Sequence, residues 1–113
     1  MRVLGIDPGT TESAFVIWDG ERIWEKEKLD NNKLLWRIQA RQDGFESTPD
    51  VCVIEKVASY GMSVGESVFE TVFWSGRFAQ AWGKRGFFDR ITRGTVKMHL
   101  CHSMRARDPN IRT

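Results

Sequence analysis

The chain has 113 residues, of which 41% are hydrophobic and 28% charged, a balance that fits one compact globular domain and excludes a disordered chain. No apolar run approaches the roughly 20 residues that a membrane span needs, Asp7 interrupts the N-terminal apolar stretch where a secretory leader would continue, and two cysteines, Cys52 and Cys101, do not make a disulfide scaffold, so a reduced, cytoplasmic protein with no membrane partner is expected. The net charge of +2 is unevenly spread: eight of the 17 Lys and Arg, but only two of the 15 Asp and Glu, fall in residues 84–113, and both a polyanion partner and a merely solvated basic segment fit that bias.

Val3-Leu4-Gly5-Ile6-Asp7 is a short apolar run halted by Pro8-Gly9, which predicts a buried strand ending at Asp7. Ser13 to Trp18 predicts a second strand, and Asp19-Gly20 a two-residue hairpin turn. Glu21 to Leu29 alternates imperfectly and is mostly polar, as an edge strand is. Three antiparallel strands therefore open the chain. Asp30 or Asn31 can cap a helix of about three turns that carries Leu34, Leu35, Ile38, Trp36 and Ala40 and ends near Gly44. Thr48-Pro49-Asp50 breaks the chain before Val51-Cys52-Val53-Ile54, a second apolar run, which ends at Glu55. After a crossover helix that run is expected to lie parallel to the first strand.

Residues 57–65 read as a loop. Ser63-Val64-Gly65-Glu66 matches a capping box and opens a helix that runs to Trp82, with Gly83 as its stop. Val68, Val72, Gly76 and Ala79 form one stripe of this helix, Phe69 and Phe73 a second, and Trp74, Phe78 and Trp82 a third. A helix apolar on most of its circumference is expected to be buried on more than one side, either as the central helix of the domain or as a homodimer interface over residues 66–82. Phe87 to Leu100 is strand-like, with an interruption at Gly94. Asp108-Pro109 is a helix-start signal close to the last residue, so the sequence reads as one domain, residues 1–113, cut short inside its next helix.

Two acids, Asp7 and Glu55, stand at the C-terminal ends of two apolar runs. On adjacent parallel strands both would reach the edge where ligands bind open α/β sheets. Two carboxylates there make a hard-oxygen site for Mg²⁺ or Mn²⁺. Either acid alone would read as a turn former or an ion-pair partner; the paired placement favours the metal. His99, Cys101 and His102 invite a zinc reading but lack the four ligands in paired spacings that structural sites use.

Gly5-Ile6-Asp7-Pro8-Gly9-Thr10 followed by a strand, and Val53-Ile54-Glu55-Lys56 before a loop and a long helix, resemble the RuvC Holliday-junction resolvases, most closely their phage-encoded members. The resemblance extends over essentially the whole chain. It implies an α/β, ribonuclease H-like fold: a mixed sheet of three antiparallel strands and then parallel strands, flanked by helices. It also implies a two-metal endonuclease that cuts four-way or branched DNA, with Mg²⁺ or Mn²⁺ held by four carboxylates. Asp7 would bridge the metals and Glu55 would ligate from the fourth strand. The family's other two acids lie on a C-terminal helix in a motif that this sequence does not contain. Asp89 and Asp108 do not stand in that setting, and Glu66 and Glu70 are on the wrong helix, so the resemblance implies a site only half supplied here.

The loop after Glu55 corresponds to one that touches DNA in the family, where Tyr60 and Met62 would wedge or stack against opened bases; an exposed loop with its aromatic packed back on the domain is the alternative. Arg90, Arg93, Lys97, Arg105 and Arg107 form the basic segment, with Lys97 where the family tends to place a lysine beside the active site. Two other readings remain. The Gly5-to-Thr11 segment also resembles the phosphate hairpin of actin-like and sugar-kinase ATPases, although the second domain that completes their nucleotide cleft has no counterpart in 113 residues. The chain also fits an inactive DNA-binding or dimerising remnant.

Overall fold

The computed structural model describes residues 1–40, 43–56, 65–83 and 88–92. In chain order the elements are β1 (Val3–Asp7), β2 (Glu12–Trp18), β3 (Ile23–Asp30), α1 (Asn31–Gln39), β4 (Val51–Lys56), α2 (Glu66–Trp82) and β5 (Phe88–Thr92). The strands form one mixed sheet in the order β3-β2-β1-β4-β5. β1 pairs antiparallel with β2, and β2 with β3, whereas β4 lies parallel to β1 and β5 parallel to β4. The α/β class, the three opening antiparallel strands, the edge position of β3 and the parallel placement of β4 are as expected. The strand-like stretch from Phe87 to Leu100 yields β5 over its first part; residues 93–100 and the helix-start signal at Asp108 lie outside the described residues.

Strand pleating puts alternate residues on opposite faces. Leu4 and Ile6 of β1, Phe15 and Ile17 of β2, and Cys52 and Ile54 of β4 meet Leu34, Leu35 and Ile38 of α1 and Trp74, Phe78 and Trp82 of α2 in one buried cluster. Both helices therefore cover one face of the sheet. No helix among the described residues is long and apolar enough to cross a membrane.

Local contacts fix the ends of these elements. At the β2–β3 turn the Asp19 carboxylate accepts from the backbone N–H groups of Arg22 and Glu21 and from the Trp24 indole N–H, each at 2.9 Å, while Gly20 takes a φ of +98°. Those three donors, the Arg22 amide foremost, hold the Asp19 carboxyl well below the usual carboxylate range. Arg37 of α1 donates from Nε to the Gly44 carbonyl at 2.7 Å and from its terminal nitrogens to Glu25 and Glu27 on β3. Its guanidinium also lies over the rings of Phe15 and Phe45, 4.9 and 4.8 Å from their centroids.

Three expectations about the helices need correction. Asp30 caps α1 by accepting from the Asn32 N–H at 2.8 Å, but the helix ends at Gln39, short of Gly44. Gly44 is instead a close approach: a Cβ there would lie 1.8 Å from the Arg37 carbonyl oxygen. Trp36, also on α1, is 64% exposed. α2 starts two residues later than a capping box centred on Ser63 requires, with Gly65 at the N-cap and no side-chain cap bond. Finally, α2 is not a central helix of the domain: within the chain it is buried along one stripe, Thr71, Trp74, Ser75, Phe78 and Trp82, and leaves Phe69 67%, Val72 43% and Phe73 57% exposed, which does not touch the homodimer alternative. One sheet face can cover only one side of a helix, so apolar composition around the rest does not by itself imply burial within the chain.

Candidate metal centre

The parallel register of β1 and β4 pairs Val3 with Val51 and runs to Ile6 with Ile54. Asp7 and Glu55 stand one position beyond that last pair, at the same offset along the chain. Strands in a sheet lie about 4.8 Å apart, so the two acids are level neighbours on adjacent strands. They are also in phase with Val3, Gly5, Val51 and Val53 rather than with the core residues Leu4, Ile6, Cys52 and Ile54. Both therefore belong to the sheet face opposite α1 and α2. Glu55 is only 1% exposed, and Asp7 is half-buried at the end of its strand.

The register itself is set at the other end of the strands. The Arg2 N–H donates to the Asp50 carboxylate at 2.8 Å, and the Asp50 N–H returns a bond to the Arg2 carbonyl at 2.8 Å. This reciprocal pair spans 48 positions, the offset that also separates Asp7 from Glu55. On the acid-bearing face, Trp18 lies against Gly5, where a Cβ would come within 2.7 Å of its ring.

The turn after Asp7 is held from the opposite face. The Gly9 N–H donates to Ser13 Oγ at 3.1 Å, Ser13 Oγ donates to Asn31 Oδ1 at 2.5 Å, and Asn31 Nδ2 donates back to the Gly9 carbonyl at 3.0 Å. The Asn31 backbone N–H adds a bond to the Thr11 carbonyl at 2.8 Å. Ser13 and Asn31 are each 1% exposed. Sequence reasoning placed Ser13 only as a strand residue and Asn31 only as an alternative helix cap.

Asp7 and Glu55 are thus brought together as expected. Tyr60, Met62, Arg93, Lys97, Arg105 and Arg107 lie outside the described residues, as do His99, Cys101 and His102; Arg90 is described only as a backbone position in β5. Among the described residues no group of three or more His, Cys, Asp or Glu gathers as a metal cluster. Among the described residues the donors brought together are two carboxylates, and hard oxygen donors of this kind suit a cation such as Mg²⁺ or Mn²⁺.

A central β1 flanked by antiparallel β2 and β3 on one side and parallel β4 and β5 on the other, with Asp7 ending β1 and Glu55 next to the end of β4, is an α/β sheet of the ribonuclease H-like fold. No family model matches the sequence, and no curated protein matches it. In structure the chain is similar to RuvC of Thermus thermophilus, with a TM-score of 0.61 over 93% of this chain and 78% of the Thermus chain at 16% sequence identity. The likeness is one of fold.

Proposed function

We propose that the chain is a metal-dependent, structure-selective endonuclease of the phage RuvC type that hydrolyses phosphodiesters in four-way or branched DNA. It would act as a homodimer in the cytoplasm of a bacterium or a phage-infected cell. The observation that carries this reading is the level placement of Asp7 and Glu55 on adjacent parallel strands of a sheet shared in fold with RuvC. A carboxylate kept from water, as Glu55 is, is tolerated as an anion where donors or positive charge compensate it.

Asp7 and Glu55 would hold the cation through carboxylate oxygens. Bound there, Mg²⁺ or Mn²⁺ supplies the charge that activates water and stabilises the leaving oxygen in an in-line displacement. Both acids are anchored by strand pairing rather than carried on a loop, so the pair needs little reorganisation on binding. Tyr60 and Met62 would stack against opened bases, and Arg93, Lys97, Arg105 and Arg107 would contact phosphates, giving salt-dependent binding with little dependence on base sequence. The exposed α2 face of Phe69, Val72, Phe73 and Gly76 supports a second copy packed on residues 66–82, an arrangement suited to two symmetric cuts.

The test is cleavage of a synthetic four-way junction against a linear duplex in Mg²⁺, using the wild-type chain and Asp7→Asn. Junction cleavage that Asp7→Asn abolishes supports the reading. Equal cleavage by both proteins removes Asp7 from the site. Junction binding by wild type without cutting assigns the chain instead to a DNA-binding, dimerising remnant.

A further inference from the structure

The hydrogen-bond ring around Gly9 is difficult to explain as a folding device alone. Ser13 is in phase with Phe15 and Ile17 on the face that builds the core, where an apolar side chain would be buried without having to find partners. Asn31 follows the residue that already caps α1. Two polar side chains, each 1% exposed, are instead used to satisfy both the N–H and the carbonyl of one glycine. That glycine lies two residues after Asp7. A Cβ at Gly9 would lie 2.2 Å from the Glu12 carbonyl oxygen, so the close approach of the backbone there requires the residue without a Cβ. Pro8, between Asp7 and Gly9, has its φ fixed by its ring. The bonds to both polar groups of Gly9 and to the Thr11 carbonyl therefore restrain the link from β1 into β2, and with it the end of the strand that carries the Asp7 carboxylate.

We infer that Ser13 and Asn31 are positioning residues for Asp7, holding its carboxylate in the orientation that receives the divalent cation. The inference rests on the reading of Asp7 and Glu55 as a cation pair. Groups that orient a ligating carboxylate without touching the ion typically change metal affinity about 10–100-fold when removed. Ser13 and Asn31 would act in this way through the backbone of the turn.

The experiment uses Mn²⁺ alone and the full chain, and needs no turnover. Paramagnetic broadening of backbone amide signals next to Asp7 and Glu55 reports Mn²⁺ occupancy, at a temperature where circular dichroism shows every variant folded. Ser13→Ala should weaken Mn²⁺ binding by about tenfold or more and speed hydrogen exchange at the Gly9 amide. Ser13→Thr, which keeps the hydroxyl, should restore both. Ser13→Cys, of similar volume but with only a weak donor and acceptor, carries the same expectation if the alanine variant does not fold. Wild-type Mn²⁺ affinity in folded Ser13→Ala or Ser13→Cys, alongside a loss in Asp7→Asn, overturns the positioning role and leaves the cation pair standing. Unchanged Mn²⁺ binding in Asp7→Asn overturns the cation pair itself, and the positioning role with it.

Discussion

Gly9→Ala tests whether the turn after Asp7 is as constrained as its contacts imply. The added Cβ would sit 2.2 Å from the Glu12 carbonyl oxygen, roughly 1 Å inside an ordinary carbon–oxygen contact. The obstacle is backbone, so no side-chain rotation relieves it. Moving Gly9 away would stretch its bonds to Ser13 at 3.1 Å and Asn31 at 3.0 Å. Overpacking of this kind costs about 1–3 kcal/mol, and each lost hydrogen bond adds about 0.5–1.5 kcal/mol, for a total of about 2–6 kcal/mol. A domain of ordinary stability survives that loss at 25 °C, with Tm lowered by roughly 10–20 °C. Thermal unfolding followed by circular dichroism reads the effect directly. Gly76→Ala is the control of opposite sign: nothing lies within 4 Å of its Cβ position, and replacing a glycine inside α2 should raise stability by about 0.5–1 kcal/mol. A Gly9→Ala protein melting within about 2 °C of wild type would show that the turn relaxes freely and would refute the argument from close approach.

Arg37→Ala should cost about 2–4 kcal/mol by denaturant unfolding, because it leaves Glu25, whose side chain is 14% exposed, without its cation; joint replacement by Arg37→Met and Glu25→Leu should recover most of the loss, and no recovery would place the cost elsewhere. Asp19 has a folded-state pKa below its ordinary value, so its ionised form stabilises the fold at neutral pH and that contribution is lost as pH falls. The Tm gap between wild type and Asp19→Asn should therefore be full at pH 7 and shrink only below about pH 4; a gap unchanged at pH 2.5 contradicts this. Phe73→Asp, at a side chain 57% exposed, should change monomer stability by less than about 0.5 kcal/mol while converting dimer to monomer in sedimentation velocity. A monomeric wild type, or a dimeric variant, rules out pairing through α2.

The sheet was legible because its signals are local and strong. Pro8-Gly9 and Pro49-Asp50 bound the two apolar runs, Asp19-Gly20 forces a hairpin, and the polar pattern of β3 suits only an edge. The acid pair was legible for the same reason, since a carboxylate that terminates a buried run is conspicuous. The helices were harder, because an apolar residue does not encode which neighbour will cover it. Trp36 and Phe73 are as apolar as Trp74 and Phe78, and only the placement of a single sheet face separates the exposed pair from the buried one. The start of α2 shows how such choices resolve. The pattern from Ser63 offered a cap worth about 1 kcal/mol, whereas burial of Trp74, Phe78 and Trp82 contributes several times more, and α2 begins at Glu66 without that cap. The ring of Ser13, Asn31 and Gly9 was invisible because its members are 18 and 22 positions apart and serine and asparagine have many surface uses.

The geometry of the acid pair is decided away from the acids. A parallel ladder has no hairpin to fix its register, so something at the strand ends must do so, and the Asp50–Arg2 bonds close the β1–β4 ladder at its N-terminal end. A slip of one residue would turn every β4 side chain to the opposite face, moving Glu55 into the core and Ile54 out of it. The apolar alternation of β4 opposes that slip, and the Asp50–Arg2 bonds oppose the two-residue slip that alternation alone would permit. At the other end of β1, the bonds of Ser13 and Asn31 to Gly9 fix the direction in which the chain leaves Asp7. β1 is therefore held at both ends by polar contacts, those to Asp50 and Asn31 from residues remote in sequence, and it is also the central strand of the sheet. These constraints place Asp7 beside Glu55 before any ligand binds, which is the preorganisation that the proposed cation site requires.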